Sequence, residues 1–121
     1  MGDATLGAQF ATALAAKDFD GIRGLLAPDI SFRGVTPSKA WEAEDSETFI
    51  SDVLMPWFGE DDIVAVERLE TDSFSDCDRV GYRFRVREDD EEFLVEQQAF
   101  LRHQDGRINW MRVACSGFRP A

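Results

Sequence analysis

The sequence predicts an α+β domain, on three observations. The stretch Asp18 to Phe32, read as DFDGIRGLLAPDISF, packs a helix start, a helix stop and a first strand into one short block. The hydrophobic period then changes from helical to strand-like at Ile63 and stays so to the end. Lastly, the strand RVGYRFRVR pairs with its successor in a single register that suits both faces of a sheet.

Taken in order, the first helix is expected from about Thr5 to Ala16, with Leu6, Phe10, Ala13 and Leu14 on one face and Asp3 as its cap. Asp18 can cap a second helix by accepting from the free N–H groups two and three residues on, and Phe19, Ile22, Leu25 and Leu26 form its apolar stripe. Pro28 closes that helix, because the residue before a proline avoids the α region and Ala27 is pushed toward extended backbone. Ile30 and Phe32 then alternate with Ser31 and Arg33 as in a half-buried strand. In GVTPSKAWEAED, Gly34 and Pro37 break regular structure, so a loop is expected, pinned over the core by Trp41. A third helix begins near Asp45 or Ser46 and presents Phe49, Ile50, Val53, Leu54 and Trp57, with Pro56 kinking or ending it and Gly59 as a stop.

Four strand-like runs follow, Ile63 to Thr71, Arg79 to Arg87, Glu92 to Arg102 and Ile108 to Phe118, separated by turns containing Asp and Gly, and they predict an antiparallel meander. A two-residue turn at Asp89 and Asp90 sets Val86 opposite Phe93, Phe84 opposite Val95 and Tyr82 opposite Gln97. The same register brings Arg87 to Glu92 and Arg83 to Glu96, and such cross-strand pairs are each favourable by roughly 0.2 to 1 kcal/mol.

The 121 residues fit one domain, residues 1–121, and 44% of them are hydrophobic, as in an ordinary globule. With 24 acidic residues against 13 basic, the net charge of -11 repels phosphate backbones and anionic lipid, so neither nucleic acid nor membrane is expected as a partner. The opening MGDATLGAQF lacks the basic-then-apolar pattern of a secretory signal, which leads to an expectation of the cytoplasm. Cys77 and Cys115 are too few for a disulfide framework and too far apart for a metal knuckle; free thiols, no metal and no cofactor are expected. The basic residues are nearly all Arg, consistent with a GC-rich bacterial source.

The block Asp18 to Phe32, preceded by an amphipathic helix and followed by a mixed segment and four strands, resembles the nuclear transport factor 2-like superfamily, which includes ketosteroid isomerases and SnoaL-like polyketide cyclases. The resemblance spans nearly the whole chain. It implies a cone-shaped roll in which about three N-terminal helices pack on a strongly curved antiparallel sheet around a small-molecule pocket. In ketosteroid isomerases a carboxylate acts as general base, while a Tyr hydroxyl and a protonated acid donate to the developing enolate oxygen. Carried over, the tyrosine position falls on Phe10, the base on Gly34, and the second acid on Gln97, Gln98 or Ala99. None of these is an acid or a hydroxyl, so the protein is expected not to isomerise a 3-oxo-Δ5-steroid. The limonene epoxide hydrolases, similar in fold, use two Asp and an Arg. The strand residues assigned inward (Val80, Tyr82, Phe84, Val86, Phe93, Val95, Gln97, Ala99, Met111, Val113 and Cys115) include no carboxylate.

One candidate catalyst remains. Glu67 shares a face with Ile63, Ala65 and Leu69, and if that face points inward it is a desolvated carboxylate able to act as a base; the opposite face, Val64 and Val66, is equally apolar. The residues expected to meet a ligand are Phe10, Trp57, Tyr82, Phe84, Gln97, Met111, Val113 and Cys115, whose mostly apolar walls favour a small neutral metabolite. Tyr82 and Gln97 either orient such a guest or bond only to each other. Cys115 reads as a small core residue, since His103, the single histidine, lies at a distant turn. The Arg row and EDDEE read as a solvated outer face. On that face Leu94, Phe100 and Trp110 lie among Glu92, Glu96, Arg102 and Arg112, an apolar centre with a charged rim that fits a homodimer. Whether the domain transforms its ligand, only binds it, or serves as a dimeric scaffold stays open at this point.

Overall fold

The computed structural model describes residues 5–121. The first helix, α1 (Leu6–Ala15), is capped by Thr5, whose hydroxyl accepts from the Ala8 N–H at 3.1 Å. Asp3, the expected cap, lies outside the described residues. Asp18 caps α2 (Phe19–Leu25) as expected, accepting from the Gly21 N–H at 2.9 Å. Between the two helices Lys17 adopts φ 55°, and its ammonium donates to the carbonyls of Gly59 (3.1 Å) and Asp61 (2.8 Å). This side chain therefore ties the α1–α2 corner to the end of the third helix.

Strand β1 (Leu26–Thr36) starts before Pro28, with Ile30 and Phe32 buried. The expected loop is instead a hairpin: β2 (Lys39–Ala43) folds back antiparallel on β1, pairing Trp41 with Gly34 and Ala43 with Phe32. Gly34 supports the strand rather than breaking it. It lies under the rings of Phe32 and Trp57, and a Cβ there would stand 2.7 Å from Phe32 Cζ. Only Pro37 and Ser38 make the turn.

The third helix begins at Ser46 with Asp45 as its cap, accepting from the Thr48 N–H at 2.7 Å. It runs Ser46–Thr48, then a π-helical stretch Phe49–Leu54, then Met55–Phe58. Pro56 does not end it. The wider turn has the Met55 N–H bonding to the Ile50 carbonyl, and the carbonyls that the missing N–H of Pro56 would leave free belong to Ser51 and Asp52, both exposed residues. Its buried face is the expected one, Phe49, Ile50, Val53, Leu54 and Trp57, joined by Phe58.

Strands β3 (Asp62–Phe74), β4 (Cys77–Glu88), β5 (Glu91–Gln104) and β6 (Arg107–Cys115) form the expected meander. The β4–β5 register is the one deduced from sequence, with Val86 opposite Phe93, Phe84 opposite Val95, Tyr82 opposite Gln97 and Arg87 opposite Glu92. A short β7 (Arg119–Pro120) continues beyond the end of β6 to pair with Phe93 and Leu94 of β5. The sheet order is β2-β1-β6-β5-β4-β3, and β1 joins β6 in parallel, so the sheet is mixed rather than antiparallel throughout. The sheet is curved and unclosed, and its helix-covered face holds the core.

Two irregularities in β3 set which of its residues lie on that side of the sheet, where Ile63 packs against the core and Val66 and Leu69 stay exposed. Val64 and Glu67 are extra residues between the pairs Ile63–Val86, Ala65–Arg85, Val66–Phe84 and Arg68–Arg83. Each bulge advances the alternation by one position. Ile63, Val66 and Leu69 therefore fall opposite the inward residues Val86, Phe84 and Tyr82, and neither face read from simple alternation is the real one.

Candidate functional site

The residues expected to surround a ligand are brought together by the fold. Phe10 comes from α1, Trp57 from the third helix, Tyr82 and Phe84 from β4, Gln97 from β5, and Met111, Val113 and Cys115 from β6. All are buried except Cys115, which is half-buried. They pack closely. The rings form a continuous chain, Trp57 to Phe58 at 6.4 Å, Phe58 to Phe84 at 5.9 Å and Phe84 to Tyr82 at 4.9 Å between centroids. Phe10 stacks on Phe49 at 6.3 Å on the helix side.

Glu67 is not among them. As a bulged residue of β3 it sits on the solvent side, exposed, where its carboxylate accepts from Arg85 Nε at 2.7 Å. The inward orientation considered from sequence is corrected by that bulge. Glu67 instead begins an outer ladder, in which Arg85 also meets Glu92 at 3.0 Å, Arg87 meets Glu92 at 3.1 Å and Arg83 meets Glu96 at 2.8 Å. Hydrogen bonds from Arg85 and Arg87 hold the Glu92 carboxyl below its usual range, and the bond from Arg83 does the same for Glu96.

Inside, Tyr82 Oη donates to Gln97 Oε1 at 2.5 Å. Burial pushes the phenol far above its ordinary pKa, with the neighbouring Cys115 adding to the effect, so Tyr82 is a neutral donor at any physiological pH. The amide nitrogen of Gln97 and the indole N–H of Trp57 are both buried and have no acceptor. Buried donors are usually satisfied, and leaving one unpaired costs about 1 to 3 kcal/mol. Among the described residues, no carboxylate, imidazole, ammonium or guanidinium is buried. The interior can thus position a neutral hydrogen-bond acceptor.

Cys115 Sγ accepts from the Gly117 N–H at 3.4 Å, and His103 lies at the far end of β5 beside Asp78 at 3.4 Å, so the two do not form a nucleophile–base pair. No cluster of three or more His, Cys, Asp or Glu side chains placed to hold a metal occurs among the described residues. No described helix is long and apolar enough to cross a membrane.

Sequence reasoning missed what closes the end of this interior. Beyond β6 the chain turns at Gly117 (φ 76°), which packs against the Pro37 ring of the β1–β2 hairpin, and Phe118 lies 6.0 Å from Phe58. The positive φ needs glycine, and a Cβ there would meet Pro37 Cγ at 2.8 Å. Gly117 was the available signal. It falls inside a run whose apolar alternation reads as uninterrupted strand.

A helix-covered, curved and unclosed mixed sheet with an apolar interior and one buried phenol–amide pair defines an α+β roll. That roll is the nuclear transport factor 2-like fold. Over 92% of this chain and 88% of the other, it superposes with a TM-score of 0.72 and 16% identity on an NTF2-like protein from Burkholderia thailandensis. A putative polyketide cyclase from Xanthomonas campestris pv. campestris matches over 90% of this chain and 86% of its own, with a TM-score of 0.70 and 13% identity. A putative isomerase from Bacillus subtilis matches over 88% and 81%, with a TM-score of 0.73 and 12% identity. Neither a protein-family model nor a curated protein matches the chain.

Proposed function

We propose that this domain binds a small, largely apolar, neutral metabolite and does not transform it. The observation that carries the reading is the pair of buried donors without acceptors, Gln97 Nε2 and Trp57 Nε1, in an interior where, among the described residues, no carboxylate, imidazole, ammonium or guanidinium is buried. A carbonyl or ether oxygen would satisfy such donors, whereas a carboxylate or ammonium would be desolvated without a partner at a cost of several kcal/mol. Entry requires the tail from Ser116 to lift from Phe58.

The test is a thermal-shift screen of neutral ketones, lactones and small aromatics. At a hundred times its dissociation constant a ligand stabilises the fold by about 2.7 kcal/mol, enough for a shift of several degrees. The shift given by carbonyl ligands should disappear in Tyr82→Phe with Gln97→Leu. That double variant should itself fold nearly as stably as wild type, since both partners become apolar, while Gln97→Leu alone should cost about 1 to 3 kcal/mol by orphaning the Tyr82 hydroxyl. A double variant that keeps the full carbonyl shift would overturn the reading.

A dimeric scaffold is the second reading, favoured by the dense packing of Phe10, Trp57 and Met111, which leaves the outer face to do the work. There Leu94, Phe100 and Trp110 are half-buried, and the guanidiniums of Arg102 and Arg112 lie 4.6 and 4.4 Å from the Trp110 ring. Two such sheets back to back make a homodimer. Sedimentation equilibrium at micromolar concentration should report twice the chain mass for wild type and the chain mass for Trp110→Glu; a wild-type monomer unaffected by the substitution removes this reading.

A further inference from the structure

A concavity lies on the outer side of the sheet, across from the Tyr82–Gln97 pair. It has a volume of about 430 Å3 and is lined across four strands by Ala40 and Glu42 of β2, Arg33 and Val35 of β1, Arg112 and Ala114 of β6, and Phe100 of β5. Val35, Ala40 and Ala114 are exposed there. Arg33 is neutralised at the rim, 3.8 Å from Glu42 and 3.1 Å from Glu44.

Arg112 is not neutralised. Its Nη1 donates to the carbonyls of Ser31 (3.0 Å) and Met111 (2.9 Å), and its Nη2 makes a long contact of 3.4 Å to Ser31 Oγ. These are neutral acceptors, and among the described residues no carboxylate lies within 4.0 Å of the guanidinium. The head is held in place by the two carbonyls and by the Trp110 ring, so little freedom remains to be lost on binding. Both Nη1 hydrogens are spent. The Nε–H and one Nη2–H are left, and that edge of a guanidinium is the one that grips a carboxylate through two parallel bonds.

From this geometry we infer that the outer groove is a binding site for an amphipathic organic carboxylate, its anionic head on Arg112 and its apolar body against Val35, Ala40 and Phe100. Burial, and then the nearby charges of Arg33 and Arg102, push the Arg112 guanidinium below its ordinary pKa despite an opposing effect of Glu44, a penalty that an incoming carboxylate relieves. Of the residues proposed for self-association only Phe100 and Arg112 line this groove. Of the interior residues only Val113 also borders this groove, and the groove's ligand has the opposite charge preference.

The experiment is isothermal titration calorimetry with 3-phenylpropionate and with its amide. Wild type should bind the acid at least tenfold more tightly than the amide. Arg112→Gln should abolish the difference, while the affinity for the acid should be unchanged in Tyr82→Phe with Gln97→Leu, which separates this site from the interior. Val35→Glu, at a position 52% exposed and therefore safe for folding, should abolish binding by placing a second negative charge in the groove. Equal affinity for acid and amide, no binding by wild type, or wild-type affinity in Val35→Glu or in a folded Arg112→Gln overturns the inference.

Discussion

Phe32→Ala should destabilise the domain by about 3 to 5 kcal/mol, the cost of truncating a fully buried phenylalanine where neighbours cannot collapse into the space. Phe32 is 0% exposed, stacks on Phe49 at 4.3 Å between centroids and meets Trp57 edge-on at 6.1 Å. Its neighbours are fixed from several directions, Phe49 and Trp57 by the third helix and Ala43 and Met111 by the flanking strands. For a domain of this size the midpoint of thermal unfolding should fall by on the order of ten degrees or more. Urea unfolding followed by tryptophan fluorescence checks it, and a loss below about 1 kcal/mol would mean that these rings do not form the packed layer described.

Gly34→Asp is the second. It puts a carboxylate at the position where the family resemblance expects a general base, and the structure has no room for it. A Cβ at Gly34 stands 2.7 Å from Phe32 Cζ and 3.3 Å from Trp57 CH2, so Gly34→Ala alone should cost about 1 to 3 kcal/mol through overpacking. The carboxylate adds a penalty that depends on pH. Surrounded by rings, it would have its pKa raised above the unfolded value of about 3.9. The unfolded chain then releases its proton first, so stability relative to Gly34→Ala falls as pH rises above about 4 and stops falling once the folded state also ionises. Below about 4 the two variants should differ only by size. Unfolding curves for both between pH 3.5 and 8 measure this directly, and a difference that stays flat across the range would place the side chain in solvent.

The β4–β5 register was legible because two independent constraints select it, the apolar pairs Val86–Phe93 and Phe84–Val95 inside and the opposite charges Arg87–Glu92 and Arg83–Glu96 outside. Helix boundaries at Asp18 and Asp45 were legible for a local reason: a capping carboxylate acts within three residues. What sequence could not place depended on distant partners. Gly34 and Trp41 look like loop residues until β6 supplies Val113 beside Gly34. Glu67 could not be oriented because a bulge shifts the alternation without any marking residue, and neither Val64 nor Glu67 is a glycine. The inward strand residues were correctly assigned by period, yet how tightly they fill the interior follows from helix placement, which period does not encode.

The parallel seam between β1 and β6 bears on how the chain acquires its structure. Phe32 sits beside Met111 and Gly34 beside Val113, residues separated by most of the sequence. The β1–β2 hairpin and the β3-to-β6 meander each consist of neighbours in sequence and can assemble early, whereas the seam must wait until both halves exist and must close the longest loop of any strand pair in the sheet. On the ribosome, β1 emerges with its outer edge covered by β2 and the edge meant for β6 bare until β6 is made. Within the sheet, non-local pairing is thus concentrated in one seam. The interval before it forms is when the exposed β1 edge can pair with the wrong chain.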